Sequence, residues 1–214
     1  MSAKILGALC GAMGLLAGCD AAVTDVPTQN ALTTTGFVNP SATGAIDIGL
    51  VNNVRTQVEE TSPGSGIGYA IQTGAIPGDG LFAVAGILPG TASVLTPPSS
   101  GSASYFGSYN LVSISNINIA GGQITGTPTV HSEPLTLIAN FANDKLVDDG
   151  GSNLTVRGTV TGSDIGGLVI YNGIEGNLDG LIGNNGTVGV FHGEGNVGPG
   201  TQDDYMYAGG FIAD

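Results

Sequence analysis

Tryptophan is absent from this sequence of 214 residues, and only two cysteines, two histidines and four basic residues occur. Cys10 and Cys19 both lie in the N-terminal segment, so no disulfide is expected in the remainder of the chain. A zinc site needs three or four clustered nitrogen or sulfur ligands, which His131 and His192 do not offer. Four basic against 17 acidic residues exclude nucleic acid as a partner, because phosphates require a basic surface.

Helical periodicity is missing, and so is any apolar run of about 20 residues, the length that spans a bilayer. The apolar run at 5–16 follows Lys4 and precedes small residues, which is the pattern of a secretory signal peptide at residues 1–18. The motif at 16–19 (LAGC) is similar to the lipobox of bacterial lipoproteins. We therefore expect cleavage before Cys19 and membrane attachment through lipid on its thiol, the alternative being an ordinary signal peptide with an incidental cysteine.

Glycine is abundant, at 38 residues, and 41 % of the sequence is hydrophobic, which is not the profile of a disordered chain. Short runs rich in Val, Ile, Thr and Tyr alternate with glycine and asparagine turns, so the sequence predicts an all-β protein. Without the signal segment, the formal charge becomes about −14, from three basic and 17 acidic residues. This charge is consistent with a solvated surface or with one that attracts a basic partner.

The remainder of the chain divides into three parts. Residues 19–45 are rich in Thr, Ala, Asn and Pro, which predicts a flexible tether. Residues 46–95 predict a small β region with strands at 66–73 and 80–88, and a proline- and serine-rich break follows. In residues 102–214 the candidate strands are 103–112, 116–119, 123–130, 135–142, 153–161, 167–171, 174–181, 187–193 and 205–213. We predict an eight-stranded antiparallel β-barrel, because closure removes exposed strand edges.

Two alternating segments predict which side chains share a face. In 135–141, Leu135, Leu137, Ala139 and Phe141 lie on one side of the strand. In 187–193, Val188, Val190 and His192 face one way, while Gly189 and Phe191 face the other.

Four segments of this region resemble the barrel domain of transferrin-binding protein B and related Gram-negative surface lipoproteins. They are 103–109 (ASYFGSY), 137–143 (LIANFAN) and the C-terminal pair 186–193 (GTVGVFHG) and 208–211 (AGGF). The resemblance covers about half the chain. The chain departs from the family pattern in having one such domain and a Gly- and Asp-rich loop at 194–204. Transferrin binding is therefore not carried over to this chain.

Catalytic and metal sites are poorly supported by the sequence. His192 lies within the barrel motif and is predicted to be a packed ring, with haem or metal ligation as the alternative. His131, before Glu133-Pro134, is predicted to lie in an exposed loop. Acidic residues are expected to be solvated turn residues, with calcium as the alternative; they are Asp144, Asp148, Asp149, Asp203 and Asp204.

The hypothesis from the sequence is a non-enzymatic lipoprotein of the outer membrane or cell surface, without a cofactor, that binds a partner through loops at one barrel end. The resemblance implies a protein or ligand related to iron or haem acquisition. The alternative is a structural envelope lipoprotein without a specific ligand.

Overall fold

The computed structural model describes residues 33–47, 55–61, 66–76, 80–95, 100–120, 123–197 and 204–214. Within these ranges the chain forms twelve β-strands and one short 3-10 helix, Thr91–Val94. This part of the chain contains no helix that is long and apolar enough to traverse a bilayer. The predicted all-β class is therefore confirmed, while the signal segment and Cys19 lie outside the described residues.

Four strands form a small mixed sheet, which we call the N-terminal sheet. They are β1 (Thr33–Phe37), β2 (Arg55–Thr61), β3 (Gly68–Ile76) and β4 (Gly80–Ile87). Their spatial order is β1-β4-β3-β2, with β1 parallel to β4 and the other pairs antiparallel. Residues 33–45, placed in the tether by the sequence analysis, instead supply β1 and a segment that covers the sheet. Ile46 and Val38 pack there against Phe82 and Val84.

The other eight strands close into an antiparallel barrel, as the sequence predicted. They are β5 (Ser102–Ala120), β6 (Gln123–Asn140), β7 (Lys145–Asp148), β8 (Leu154–Thr161), β9 (Asp164–Tyr171), β10 (Ile174–Gly183), β11 (Gly186–Gly195) and β12 (Tyr205–Ala213). Neighbours in sequence are neighbours in the barrel, and β12 pairs with β5 to close it.

Two long strands account for most of the difference from the predicted strand list. The candidates 103–112 and 116–119 are one strand, β5, with an irregularity between Ser115 and Asn118. The candidates 123–130 and 135–142 likewise form the single strand β6, although this strand contains two prolines. Strand β7 was missed, because four residues between two acidic turns carry too little pattern to be recognised.

The pairing register shows why the barrel interior is filled. A path around the barrel can be followed from Val112 on β5 by moving from each residue to its direct partner on the next strand. The path passes through Ala208, His192, Asn177, Leu168, Arg157, Val147 and Ile138 and ends at Ser104. The path returns to β5 eight residues from its start, from position 112 to position 104. Eight strands with this offset enclose a space that side chains fill. The interior is accordingly a continuous apolar core that includes Leu137 and Phe191.

Glycines and aromatic rings alternate inside the barrel. Gly189 is the cross-strand partner of Phe211, and Gly209 is the partner of Phe191. A Cβ on either glycine would overlap the ring opposite it, so each ring occupies the space that a missing side chain leaves. The glycine-rich motif of β11 and β12 is therefore a packing requirement, because a narrow barrel cannot hold two large side chains at one level.

The N-terminal sheet packs on the outer wall of β11, β12 and β5. Tyr69 lies over Gly210, where a Cβ would overlap its ring, and the Asn110 side-chain amide donates a hydrogen bond to the Tyr69 hydroxyl at 2.9 Å.

On β11, Val188 and Val190 face the N-terminal sheet, whereas Phe191 faces the barrel interior. The predicted alternation of β11 is thus confirmed, although both faces of the strand are buried. The shared face of Leu135, Leu137, Ala139 and Phe141 is also confirmed, since all four are buried in the barrel core.

Candidate functional site at the barrel mouth

The two longest connections between neighbouring barrel strands lie at the same end of the barrel. They are the loop 149–153 and the connection between β11 and β12, of which 198–203 lie outside the described residues, and the turn 172–173 lies at this end as well. The opposite end carries the shorter connections 141–144, 162–163 and 184–185. At the end that carries the two longest connections, the inward side chains become polar or aromatic. We call it the mouth and define it by Tyr109, Ser113, His131, Glu133, Tyr171, Tyr205 and Tyr207.

Glu133 lies at the mouth, on a part of β6 that extends beyond the end of its neighbour β7. Strand β7 pairs only with residues 137–140 of β6, so the backbone ladder on that side ends before Glu133. The Glu133 carboxylate bridges the gap by accepting hydrogen bonds from the Asn153 side chain at 2.8 Å, the Asn153 backbone N–H at 3.3 Å and the Tyr109 hydroxyl at 3.0 Å. The hydrogen bonds from the Asn153 and Tyr109 side chains lower the pKa of the Glu133 carboxyl. Glu133 is therefore a preorganised, partly exposed negative charge.

His131 also lies at the mouth, and its prediction as an exposed loop histidine was wrong. It is in the middle of β6 and half-buried, with Nε2 3.2 Å from the Ser113 hydroxyl oxygen. Its ring packs against Tyr171 with centroids 5.7 Å apart. The adjacent Glu133-Pro134 suggested a turn, but the strand passes through this proline because β5 still pairs with it on the other side.

Four tyrosines form the floor of the mouth. The rings of Tyr171 and Tyr205 each pack against Tyr207, at centroid distances of 5.8 and 6.4 Å. The Tyr207 hydroxyl donates to the Ile174 carbonyl at 3.1 Å, and the fourth tyrosine, Tyr109, contacts Glu133. Burial raises the pKa of Tyr171 to about 12 and raises the pKa of Tyr109 and Tyr207 as well. The hydroxyls of Tyr109, Tyr171 and Tyr207 are therefore neutral hydrogen-bonding groups near pH 7.

The arrangement suits binding better than catalysis. Ser113 is 2 % exposed beneath His131, so this serine–histidine contact presents no open nucleophile to a substrate. His131 and Glu133 remain the titratable mouth residues that solvent reaches. In the part of the chain that the structure describes, no three His, Cys, Asp or Glu side chains are placed to share a metal ion.

The acidic residues near the mouth mostly stabilise turns. Asp148 accepts hydrogen bonds from the backbone N–H groups of Gly150 and Val156, and Asp149 accepts one from Gly151. Asp204 accepts one from Val197, whereas Asp203 lies outside the described residues. Turn roles are confirmed for these three aspartates. They also surround the mouth with negative charge.

The mouth tyrosines and Glu133 were not predicted to be site residues. Their signal was the period of two within strands, since Tyr205 and Tyr207, and likewise His131 and Glu133, are separated by one residue and share a face. That period shows which residues share a face, but only barrel closure brings β6, β9 and β12 together around one opening.

His192 is a packed ring, as predicted, but on the outer wall of the barrel. It is 8 % exposed and meets Phe37 of β1 edge to face, with ring centroids 4.6 Å apart. Its Nδ1 is buried and has no hydrogen-bond partner among the described residues. Burial lowers the pKa of His192 to about 4, so the folded protein holds this ring neutral.

Stability is expected to decrease as the pH falls from 7 to 5. Unfolded histidine takes up a proton below about pH 6.5, whereas folded His192 resists protonation until about pH 4. The unfolded state therefore binds more protons in this window, which lowers the free energy of unfolding by about 2 kcal/mol at pH 5. Urea unfolding of the wild type and of His192→Phe at both pH values measures this. An equal loss of stability in the two proteins would show that His192 is not responsible.

The fold is a closed eight-stranded antiparallel barrel with a small sheet on its wall and a polar, tyrosine-rich mouth. Solved structures with similar strand arrangements include HpuA from Kingella denitrificans in complex with human haemoglobin, at 12 % identity and a TM-score of 0.35, covering 68 % of this chain and 54 % of that chain. The apo haemoglobin receptor HpuA from the same organism matches at 14 % identity and a TM-score of 0.30, covering 67 % and 54 %.

Intact Ap-TbpB, with its N and C lobes, matches at 12 % identity and a TM-score of 0.41, covering 77 % of this chain and 38 % of that chain. Transferrin-binding protein B, which the sequence motifs resemble, is thus among the similar structures. This chain spans about half of HpuA and less than half of TbpB. No family model and no curated protein matches the sequence. Similarity at this level concerns the fold, so the function is argued from this chain's own residues.

Proposed function

We propose that this chain is a lipid-anchored, non-enzymatic surface protein that binds another protein at the barrel mouth. The single observation that carries the proposal is the mouth itself. The described part of the barrel interior is filled by an apolar core, yet at one end His131 and Glu133 remain accessible above buried tyrosines. A fixed carboxylate and a half-buried imidazole, held in place over packed aromatic rings, form a preorganised polar surface of the kind that suits protein recognition.

Charge defines the partner further. The charged side chains described around the mouth are all acidic, namely Glu133, Asp148, Asp149, Glu175, Glu194 and Asp204. Lys145 and Arg157 lie away from it, on β7 and β8. A partner with a basic contact surface is therefore favoured, and opposite charges also accelerate its encounter with the mouth. The resemblance alone supplies the narrower class, a protein that carries iron or haem. It also suggests the outer membrane or cell surface as the location.

The experiment measures capture of haemoglobin, transferrin and haemin by intact cells that display the protein and by the purified chain. Glu133→Gln, which keeps the shape and removes the charge, is expected to weaken capture about tenfold. Asp164→Asn, at the opposite barrel end, is the matched control and should change affinity less than about twofold. Cys19→Ala should release the protein from the cells without affecting capture by the purified chain.

Three results would contradict parts of the proposal. Wild-type protein that captures none of the three probes would remove the iron or haem class and favour a structural envelope protein. Equal capture by wild type and Glu133→Gln would move the binding surface away from the mouth. Retention of the Cys19→Ala protein on cells would argue against the lipid anchor.

A further inference from the structure

An exposed apolar wall lies on the side of the barrel away from the mouth loops and the N-terminal sheet. Five large hydrophobic side chains are exposed within the described residues, and three of them share this wall. They are Phe106 at 64 %, Ile138 at 40 % and Val147 at 39 % exposed. Clusters of this kind on a soluble surface mark interaction sites more often than isolated exposed residues do.

The strand register arranges these side chains in a row that ends in a positive charge. Ile138 on β6 pairs directly with Val147 on β7, which pairs directly with Arg157 on β8. Phe106 lies on β5, two residues from Ser104, the partner of Ile138. The row crosses four adjacent strands, a width of about 14 Å at the usual strand spacing. An aromatic ring thus stands at one end, a guanidinium at the other and two aliphatic side chains between them.

From this order we propose that the wall docks onto a second copy of the same chain through a two-fold axis between Ile138 and Val147. In a two-fold pair, each contact occurs twice, with the roles of the two residues exchanged. Phe106 of one copy then meets Arg157 of the other, a favourable contact between a cation and an aromatic face. Ile138 meets Val147 at the centre. A wholly acidic or wholly basic partner would match only one end of the row.

The expected dimer is weak. A wall four strands wide is smaller than the roughly 800 Å² per partner of a standard interface. Residues 20–214 contain three basic and 17 acidic residues, and the resulting formal charge of about −14 also makes two copies repel each other. Because salt screens that long-range repulsion, association should strengthen as the salt concentration is raised from about 0.02 to 0.3 M.

Sedimentation velocity of residues 20–214 tests the proposal, because this part of the chain contains all of the described residues. The protein concentration is about 0.1–1 mM, since a small interface gives weak association. Phe106→Arg places two like charges together and should weaken dimerisation at least tenfold, a change of about 1.4 kcal/mol or more. The double variant F106R/R157F exchanges the two ends of the row and should restore the dimer. Val197→Ser removes an exposed apolar side chain outside the wall and should leave dimerisation unchanged.

A wild-type chain that stays monomeric throughout this range would overturn the proposal. So would a dimer that survives Phe106→Arg, or a double variant that fails to dimerise although its thermal unfolding matches that of the wild type. Restoration by the exchange cannot be explained by altered folding, because each single change lies on the exposed surface.

Discussion

Replacing Tyr69 by alanine is expected to lower the free energy of unfolding by about 3–5 kcal/mol, the usual range when a large buried aromatic side chain is removed. Tyr69 is fully buried between the N-terminal sheet and the barrel. Its ring fills the space over Gly210, and its hydroxyl accepts the hydrogen bond from Asn110. The variant loses apolar burial, opens a cavity and leaves the Asn110 amide without this acceptor. Urea unfolding followed by far-ultraviolet circular dichroism measures the loss.

Tyr69→Phe separates the ring from the hydroxyl. It should cost about 1 kcal/mol, because the ring remains packed and the hydrogen bond from Asn110 is removed. Limited proteolysis should cut the N-terminal sheet of Tyr69→Ala before the barrel strands, since this residue joins the two. Equal costs for the two variants would show that the ring contributes little to the contact between the N-terminal sheet and the barrel.

Replacing Gly189 by valine should destabilise the barrel by at least about 3 kcal/mol, at the upper end of the range for overpacked cores. Even a Cβ at this position would overlap the Phe211 ring. The ring has no empty space to move into, because Phe191 occupies the neighbouring level over Gly209. Thermal unfolding should show a midpoint lower by about 6–12 °C for a chain of this size.

The control for Gly189→Val is Gly166→Val on β9. A Cβ at Gly166 meets no atom within 4 Å, and the position is exposed. The control should change stability by less than about 1 kcal/mol, and valine suits a strand better than glycine does. Phe211→Leu should reduce the cost of Gly189→Val, because the two side chains compete for one space. If the costs of Phe211→Leu and Gly189→Val simply added together, the overlap would not be the cause.

The candidate site was only partly visible in the sequence. His192 was expected to be a packed ring because it lies within the barrel motif 186–193, and the structure confirms this. His131 was misplaced, because the adjacent proline suggested a turn where β6 continues as a strand. Glu133 shares a strand face with His131, but its role was not predictable, because that role depends on Asn153, which is twenty residues away and becomes its neighbour only where β7 ends.

Local chemistry by itself determined that this chain is all-β, where most of its turns fall and which residues of a strand share a face. Period-two alternation and glycine or asparagine turns act over a few residues, so they can be read from the chain. Only the tertiary structure decided which face of β11 turns inward, since Val188 and Phe191 are equally apolar and both are buried. It also decided that His131, Glu133 and the tyrosines meet at one mouth. Closure of the barrel joins residues far apart in the chain, and no local pattern encodes those contacts.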